Sequence, residues 1–293
     1  MQYPKKNIVI CGPTATGKTA AAMELAQKID AEIISVDSGQ IYRGMDIGTA
    51  KPTLEDQEKV NFHLVDICHP DEIFSAADFR ERALAAISDI QSRGKKVILT
   101  GGTGLYLRAL EEGLFEGPIR HPYIREELER EIQEKGLEIL HQELSQVDPV
   151  AAQAIPYQNR QRLIRALEVY RLTGKPISEF WSEHQSQKEP SLQFVKYALK
   201  IDKEELNRRI ELRVDRMIEQ GLVREVERLI NKWGERAPGL KLIGYKEIVG
   251  CLKEEAEIDL AVELIKRHTR YYAKRQMTWF KKDPEIQWVE RIC

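Results

Sequence analysis

Residues 12 to 19 read Gly12-Pro13-Thr14-Ala15-Thr16-Gly17-Lys18-Thr19, two glycines five positions apart followed by Lys and a hydroxyl residue. That spacing is the mark of a phosphate-cradling loop. Ile8, Val9 and Ile10 before it read as a buried strand and the Ala-rich run after it as a helix, the setting in which such a loop aims its backbone N–H groups and a helix N-terminus at one anion. Lys18 adds a full positive charge near the terminal phosphates. The hydroxyl of Thr19 can coordinate Mg²⁺.

A nucleotide hydrolase or kinase with this loop usually has a second strand ending in a metal-holding Asp. Here the candidate strand reads "VILTGGTGLY", with Thr100 in that place. The absent acid weakens an ATP reading. Gly101, Gly102, Thr103 and Gly104 follow, either a site of close backbone approach to a ligand or a plain tight turn. The other candidate acid is Asp37, at the end of a strand-like "AEIISVD". It could hold Mg²⁺ or take a proton from a nucleophile. Asp37, Ser38, Gly39 and Gln40 also offer the donors and acceptors of a base-reading site, although such residues equally make an ordinary turn.

Near the other end, residues 264 to 282 carry seven Lys or Arg and no acid, interleaved with Tyr271, Tyr272, Trp279 and Phe280. Arg267, Arg270 and Lys274 share one helical face. The pattern suits contact with a phosphate backbone, or an amphipathic helix with its aromatics in the core and a solvated basic face.

These groups need a scaffold. Strands alternating with helical runs such as "AADFRERALAAISDIQSRG" imply an α/β fold, a parallel sheet flanked by helices, with the phosphate loop, Asp37 and Thr100 on one sheet edge. From Gly117 to Pro190 charge density rises and strand patterns vanish, as in "REELEREIQEKGLEILHQELSQ" and "RQRLIRALEVYRLTG". We expect a helical insertion domain over 117–190 in a core built from 1–116 and 191–293. "FVKYALKI" resumes the sheet, and two or three helices complete the chain.

At 293 residues and a net charge of −2, the chain is long enough for a core with an inserted lobe, and any nucleic-acid site must be local. Cys11, Cys68, Cys251 and Cys293 are scattered without paired spacing, which suits structural thiols in a reducing compartment. With no signal-like or membrane-spanning apolar run, a cytoplasmic protein is expected.

The ordered motifs "GPTATGKT", "DSGQIYRGMDIGTAKP", "FHLVDICHPDEIFSAADF", "GGTGLYL", "QRLIRALEV", "RVDRMIEQGLVREV", "LIGYKE" and "TRYYAKRQMTWF" resemble the tRNA dimethylallyltransferase (tRNA isopentenyltransferase) family over essentially the whole chain. Thr16 stands where the family carries Ser, and "IPYQNR" replaces its usual Pro-Asn-Asp type of run. The resemblance implies a P-loop-like core and transfer of the dimethylallyl group of dimethylallyl diphosphate to N6 of the adenosine 3′ of the anticodon. Gly12 to Thr19 and Arg213 would hold the diphosphate with Mg²⁺, Lys18 and Thr19 would stabilise its charge, and Asp37 would take the N6 proton. Asp37, Ser38, Gly39, Gln40, Thr103, Gln161, Arg162, Leu163, Ile164, Arg165, Gly244, Tyr245 and Lys246 would contact tRNA, the helical insertion would grip the anticodon stem, and the enzyme would act as a monomer. A small-molecule kinase, a free-nucleotide prenyltransferase and a non-catalytic RNA-binding module share parts of this pattern, but none needs all of it.

Overall fold

Five consecutive buried residues, Asn7–Cys11, form β1, an apolar run of the kind that lies inside a parallel sheet covered on both faces. The computed structural model describes residues 6–115, 117–118, 120–186 and 192–292. The expected boundary residues 116, 190 and 191 lie outside these, as does Cys293; Cys11, Cys68 and Cys251 are buried free thiols. No described helix is long and apolar enough to cross a membrane.

Along the chain, β1 is followed by α1 (Lys18–Ile29), β2 (Ala31–Val36), α2 (Leu54–Lys59), β3 (Phe62–His63), α3 (Ala76–Ser92), β4 (Lys96–Gly101) and α4 (Gly104–Glu112). Next come α5 (Pro122–Lys135), α6 (Leu137–Val147), α7 (Pro149–Ala154), α8 (Arg160–Thr173) and α9 (Ile177–Ser186). The chain closes with β5 (Phe194–Leu199), α10 (Lys203–Glu219), α11 (Leu222–Trp233), α12 (Tyr245–Lys253), α13 (Ile258–Phe280) and β6 (Ile286–Val289). It divides into two compact units, Met1–Glu111 with Leu192–Cys293, and Glu112–Ser191.

The first unit holds one six-stranded, all-parallel sheet in the order β3-β2-β4-β1-β5-β6. The expected α/β architecture is therefore present. Register places the chemistry: Cys11 and Val36 both pair with Gly101, so the segments that leave β1, β2 and β4 depart from one edge. Thr100, expected on that edge, instead lies inside β4, where its buried hydroxyl donates to Ile10 O at 3.2 Å. It is a core residue. Local signals explain α3, which opens on a capping box between Ser75 and Asp78 and buries Phe79, Ala83, Ile87 and Ile90 along one stripe. Four helices and a sixth strand follow β5, more than the sequence pattern suggests, because the short, polar-flanked "IQWV" carries little strand signal alone.

Among the described residues, the regular structure of the second unit is all helical, around Leu128, Leu140, Leu144, Leu163 and Leu167. Its first long helical pattern is broken at Gly136, whose φ of 86 separates α5 from α6. Gly174, at φ 69, ends α8 in the left-handed region where glycine costs least.

Candidate active site

The loop between β1 and α1 folds as its glycines allow, with φ of 131 at Gly12 and 91 at Gly17, and with Ala15 also left-handed at φ 65. A residue without Cβ is needed where backbone amides turn toward an anion. Lys18 is buried and reaches back over the loop, donating to Pro13 O at 2.6 Å, and Thr16 donates to the same oxygen at 2.9 Å. Burial pushes the Lys18 ammonium down to about 8, against the opposing pull of Asp37. Thr19 stands beside Lys18 in the first turn of α1.

Helix α10 delivers Arg213, which donates to Thr14 Oγ1 at 3.0 Å and to Thr49 O at 3.5 Å. Burial lowers its pKa, and Asp37 is again the charge that opposes this. Asp37 follows β2 directly, and its Oδ1 accepts from the amides of Gly39 at 2.8 Å and Gln40 at 3.4 Å. Among the described residues Oδ2 has no partner. The amide of Ser38 donates to Thr103 Oγ1 at 3.1 Å, tying the end of β2 to the glycine turn after β4. Gln40 is buried, its amide donating to Ala50 O while its oxygen accepts from Ser35.

Thr14, Asp37 and Arg213 border a cavity of about 170 Å³ whose other walls are largely apolar: Ile210, Val214, Met217, Leu242, Ile243 and Ile265. Ser38, Gly39, Gly48, Thr49, Gly244, Thr269 and Tyr272 complete it. Burial raises the Tyr272 phenol to about 12, with Asp37 adding to the shift, so it is a neutral hydroxyl at pH 7. On the far side of Arg213 and Met217, which line both spaces, a larger open cleft of about 950 Å³ is bordered by Ala15, Gly17, Lys51, Arg209 and Arg216. A cationic phosphate loop thus meets an apolar chamber with a carboxylate on its wall. That arrangement can hold a diphosphate ester and present its apolar group to a nucleophile.

Other expected residues divide. Gly244 lines the cavity, while Lys246 is exposed on the surface. Tyr245, expected to touch RNA, is instead wholly buried, with its hydroxyl donating to Glu225 at 2.7 Å. Leu163 and Ile164, expected at an RNA-facing end, instead fill the core of the helical unit, because they lie on the buried stripe of α8. Gln161 and Arg162 are exposed. Arg165 is committed to Glu168 and Pro118 O, each at 2.8 Å.

The basic helix separates its aromatics: Tyr271 and Trp279 are exposed, Tyr272 faces the cavity, and Phe280 is core. Gln276, which sequence reasoning missed, joins the two glycine turns. Its Oε1 accepts from Thr14 N and its Nε2 donates to Gly102 O, both at 2.9 Å. A Cβ on Gly102 would lie 2.1 Å from Nε2 and displace the amide from this bond. One signal could have found it: Ile265, Thr269, Tyr272 and Gln276 recur at helical spacing, one stripe of α13 aimed at the site.

Comparison with known proteins agrees with this geometry. The chain is 53% identical over 286 residues to tRNA dimethylallyltransferase 2 of Geotalea uraniireducens, covering 97% of this chain and 92% of that one. It is 50% identical to the tRNA dimethylallyltransferase of Geobacter metallireducens at the same coverage. Among solved structures, the full-length tRNA isopentenylpyrophosphate transferase of Bacillus halodurans superposes with a TM-score of 0.70 at 40% identity, over 98% of this chain and 90% of that one. A eukaryotic dimethylallyltransferase acting on tRNA gives 0.80 at 28% identity, over 98% and 74%. The sequence model of the family described as IPP transferase matches residues 40–283, and the chain belongs to that family.

Proposed function

We propose that this protein transfers the dimethylallyl group of dimethylallyl diphosphate to N6 of the adenosine immediately 3′ of the anticodon in tRNA, releasing diphosphate. The observation that carries this reading is an apolar cavity whose lining brings together Thr14 of the Gly12–Thr19 loop, the cation of Arg213 and the carboxylate of Asp37.

The diphosphate lies on the loop amides with Lys18 and Arg213 beside it, and the five-carbon group enters the apolar chamber. An adenine extruded from the anticodon loop, where unstacking costs least, brings N6 toward Asp37. The N6 lone pair forms a bond to the allylic C1 as the C1–O bond breaks, and that electron pair leaves on the diphosphate. Lys18, Arg213 and the loop amides meet the growing negative charge, pre-aimed before reaction. Asp37 takes the N6 proton on Oδ2, while Oδ1 stays fixed by Gly39 and Gln40. The walls of Ile210, Val214 and Leu242 keep water from the allylic carbon.

No group of three or more His, Cys, Asp or Glu among the described residues could hold a metal by itself. The Thr19 hydroxyl does suit Mg²⁺, which takes hard oxygen ligands and is often held by few protein groups plus substrate phosphate. Bound there with the donor, Mg²⁺ would supply charge neutralisation on the leaving diphosphate.

Incubation with tRNA and labelled dimethylallyl diphosphate, without ATP, tests the reading. Label should appear on that one adenosine. A requirement for ATP, or label on free nucleotide but not on tRNA, would overturn it.

A further inference from the structure

We infer that Glu225 is a positioning residue for the donor side of this site, acting through the loop that carries Gly48 and Thr49; the inference rests on the function proposed above. Helix α11 brings Glu225 into the interior at 4% exposure. Its Oε2 accepts from the amides of Asp46 at 3.1 Å and Ile47 at 3.0 Å, and its Oε1 from those of Ile47 at 3.2 Å and Gly48 at 3.3 Å. Three consecutive amides therefore converge on one carboxylate, the concave backbone that binds anions, with the anion supplied by the chain itself. Among the described residues no Lys, Arg or His pairs with Glu225. The backbone of this one loop, with the Tyr245 hydroxyl at 2.7 Å, is what offsets its burial.

The loop so held forms a wall of the cavity. Gly48 lies against the ring of Tyr245, where a Cβ would come within 2.5 Å, and the next residue, Thr49, presents its carbonyl to Arg213. Glu225 itself does not line the cavity. Its influence passes through Thr49 to the guanidinium and to the space beside it. A glutamine in its place offers one acceptor oxygen and turns an N–H₂ toward amides that need acceptors.

The test compares the parent enzyme with Glu225→Gln, using dimethylallyl diphosphate as donor and tRNA as acceptor, with inorganic diphosphate as a product inhibitor. In the variant, the donor KM and the inhibition constant for diphosphate should both rise about tenfold, the loss expected when charge-assisted hydrogen bonds are replaced by poorer ones. The dissociation constant for tRNA should keep the parent's value. Unchanged donor KM and diphosphate inhibition overturn the inference, and so does a weakening of tRNA binding in equal proportion, which would mark general loosening. If Glu225→Gln does not fold, Tyr245→Phe decides, since it keeps the ring and deletes one bond to the carboxylate. Its donor KM should rise about threefold with tRNA affinity unchanged, and a parental donor KM would sink the idea. A parent enzyme that fails to turn over condemns the proposed function instead.

Discussion

Arg165 donates to Glu168 at 2.8 Å, and Glu168 is fully buried in the helical unit. Burial pushes this carboxyl up, yet hydrogen bonds from Arg125, Arg165 and the His121 amide outweigh it and hold its pKa below the usual range. Its stabilising contribution is present above the unfolded carboxylate's pKa and is lost as pH falls through the lower, folded one.

The arginines of "RQRLIRAL" therefore separate. Arg165→Ala should destabilise the helical unit by about 1 to 3 kcal/mol, since it removes a charge-assisted partner from a buried carboxylate. Arg162 is exposed, so its removal should leave the core intact. Arg162→Ala should leave the melting temperature unchanged while reducing the salt dependence of tRNA binding. Melting curves and a salt series distinguish them, and an unshifted melt for Arg165→Ala would show Arg125 to suffice for Glu168.

Gln276→Leu should lower kcat/KM for the donor by about tenfold or more, because the half-buried Thr14 N and the buried Gly102 O lose their partner and Thr14 is no longer set for Arg213. Gln276→Glu keeps the acceptor for Thr14 N but not the donor to Gly102 O, so it should fall between parent and Leu. Steady-state kinetics that rank Leu equal to the parent would remove Gln276 from the site.

If the donor binds as proposed, Lys18 should set the pH response of that binding. Its folded pKa is pushed down to about 8 by burial, so donor affinity should weaken as pH rises through that value, well below the ordinary lysine pKa of about 10.4. Between those two values the unfolded chain binds more protons, so this group makes the ligand-free fold more stable as pH rises while donor binding declines. Opposite slopes in a melting series and a donor titration would be diagnostic. Lys18→Arg, charged throughout, should flatten both, and slopes that persist in it would place the titration elsewhere.

Asp37→Asn keeps size and removes basicity. Turnover should fall roughly a hundred- to ten-thousandfold, which corresponds to about 3 to 5 kcal/mol of barrier, while tRNA affinity changes little. A metal-holding role predicts instead that added Mg²⁺ restores part of the rate and that donor binding weakens with it. Near-normal single-turnover chemistry in Asp37→Asn would end both readings.

The loop from Gly12 to Thr19 and the placement of Asp37 after β2 were legible because each is written in short order within a single segment. The apolar chamber was not. It gathers residues from six separate stretches, and the bond from Thr14 to Gln276 joins positions 262 apart. Family motifs also mix two kinds of residue: "QRLIRAL" contains exposed Arg162 beside core Leu163 and Ile164, because an amphipathic helix carries packing and contact on alternate faces. Thr100 illustrates a third limit. A strand-end hydroxyl and a strand-interior one differ by a single residue in where the strand stops, a boundary that no sequence pattern resolves.

The central strand imposes a wait on synthesis. β1 pairs with β4 on one side and β5 on the other, and Cys11 and Tyr197, joined across the second pairing, are 186 residues apart. At about 5 to 20 residues per second, the ribosome needs on the order of ten seconds or more to deliver that neighbour. Through that interval the nascent chain carries five strand residues with both edges open until β4 is made and one open thereafter, a template for mispairing with other chains. Recovered yield should therefore depend on chaperone supply and elongation rate more strongly than on the stability of the finished protein.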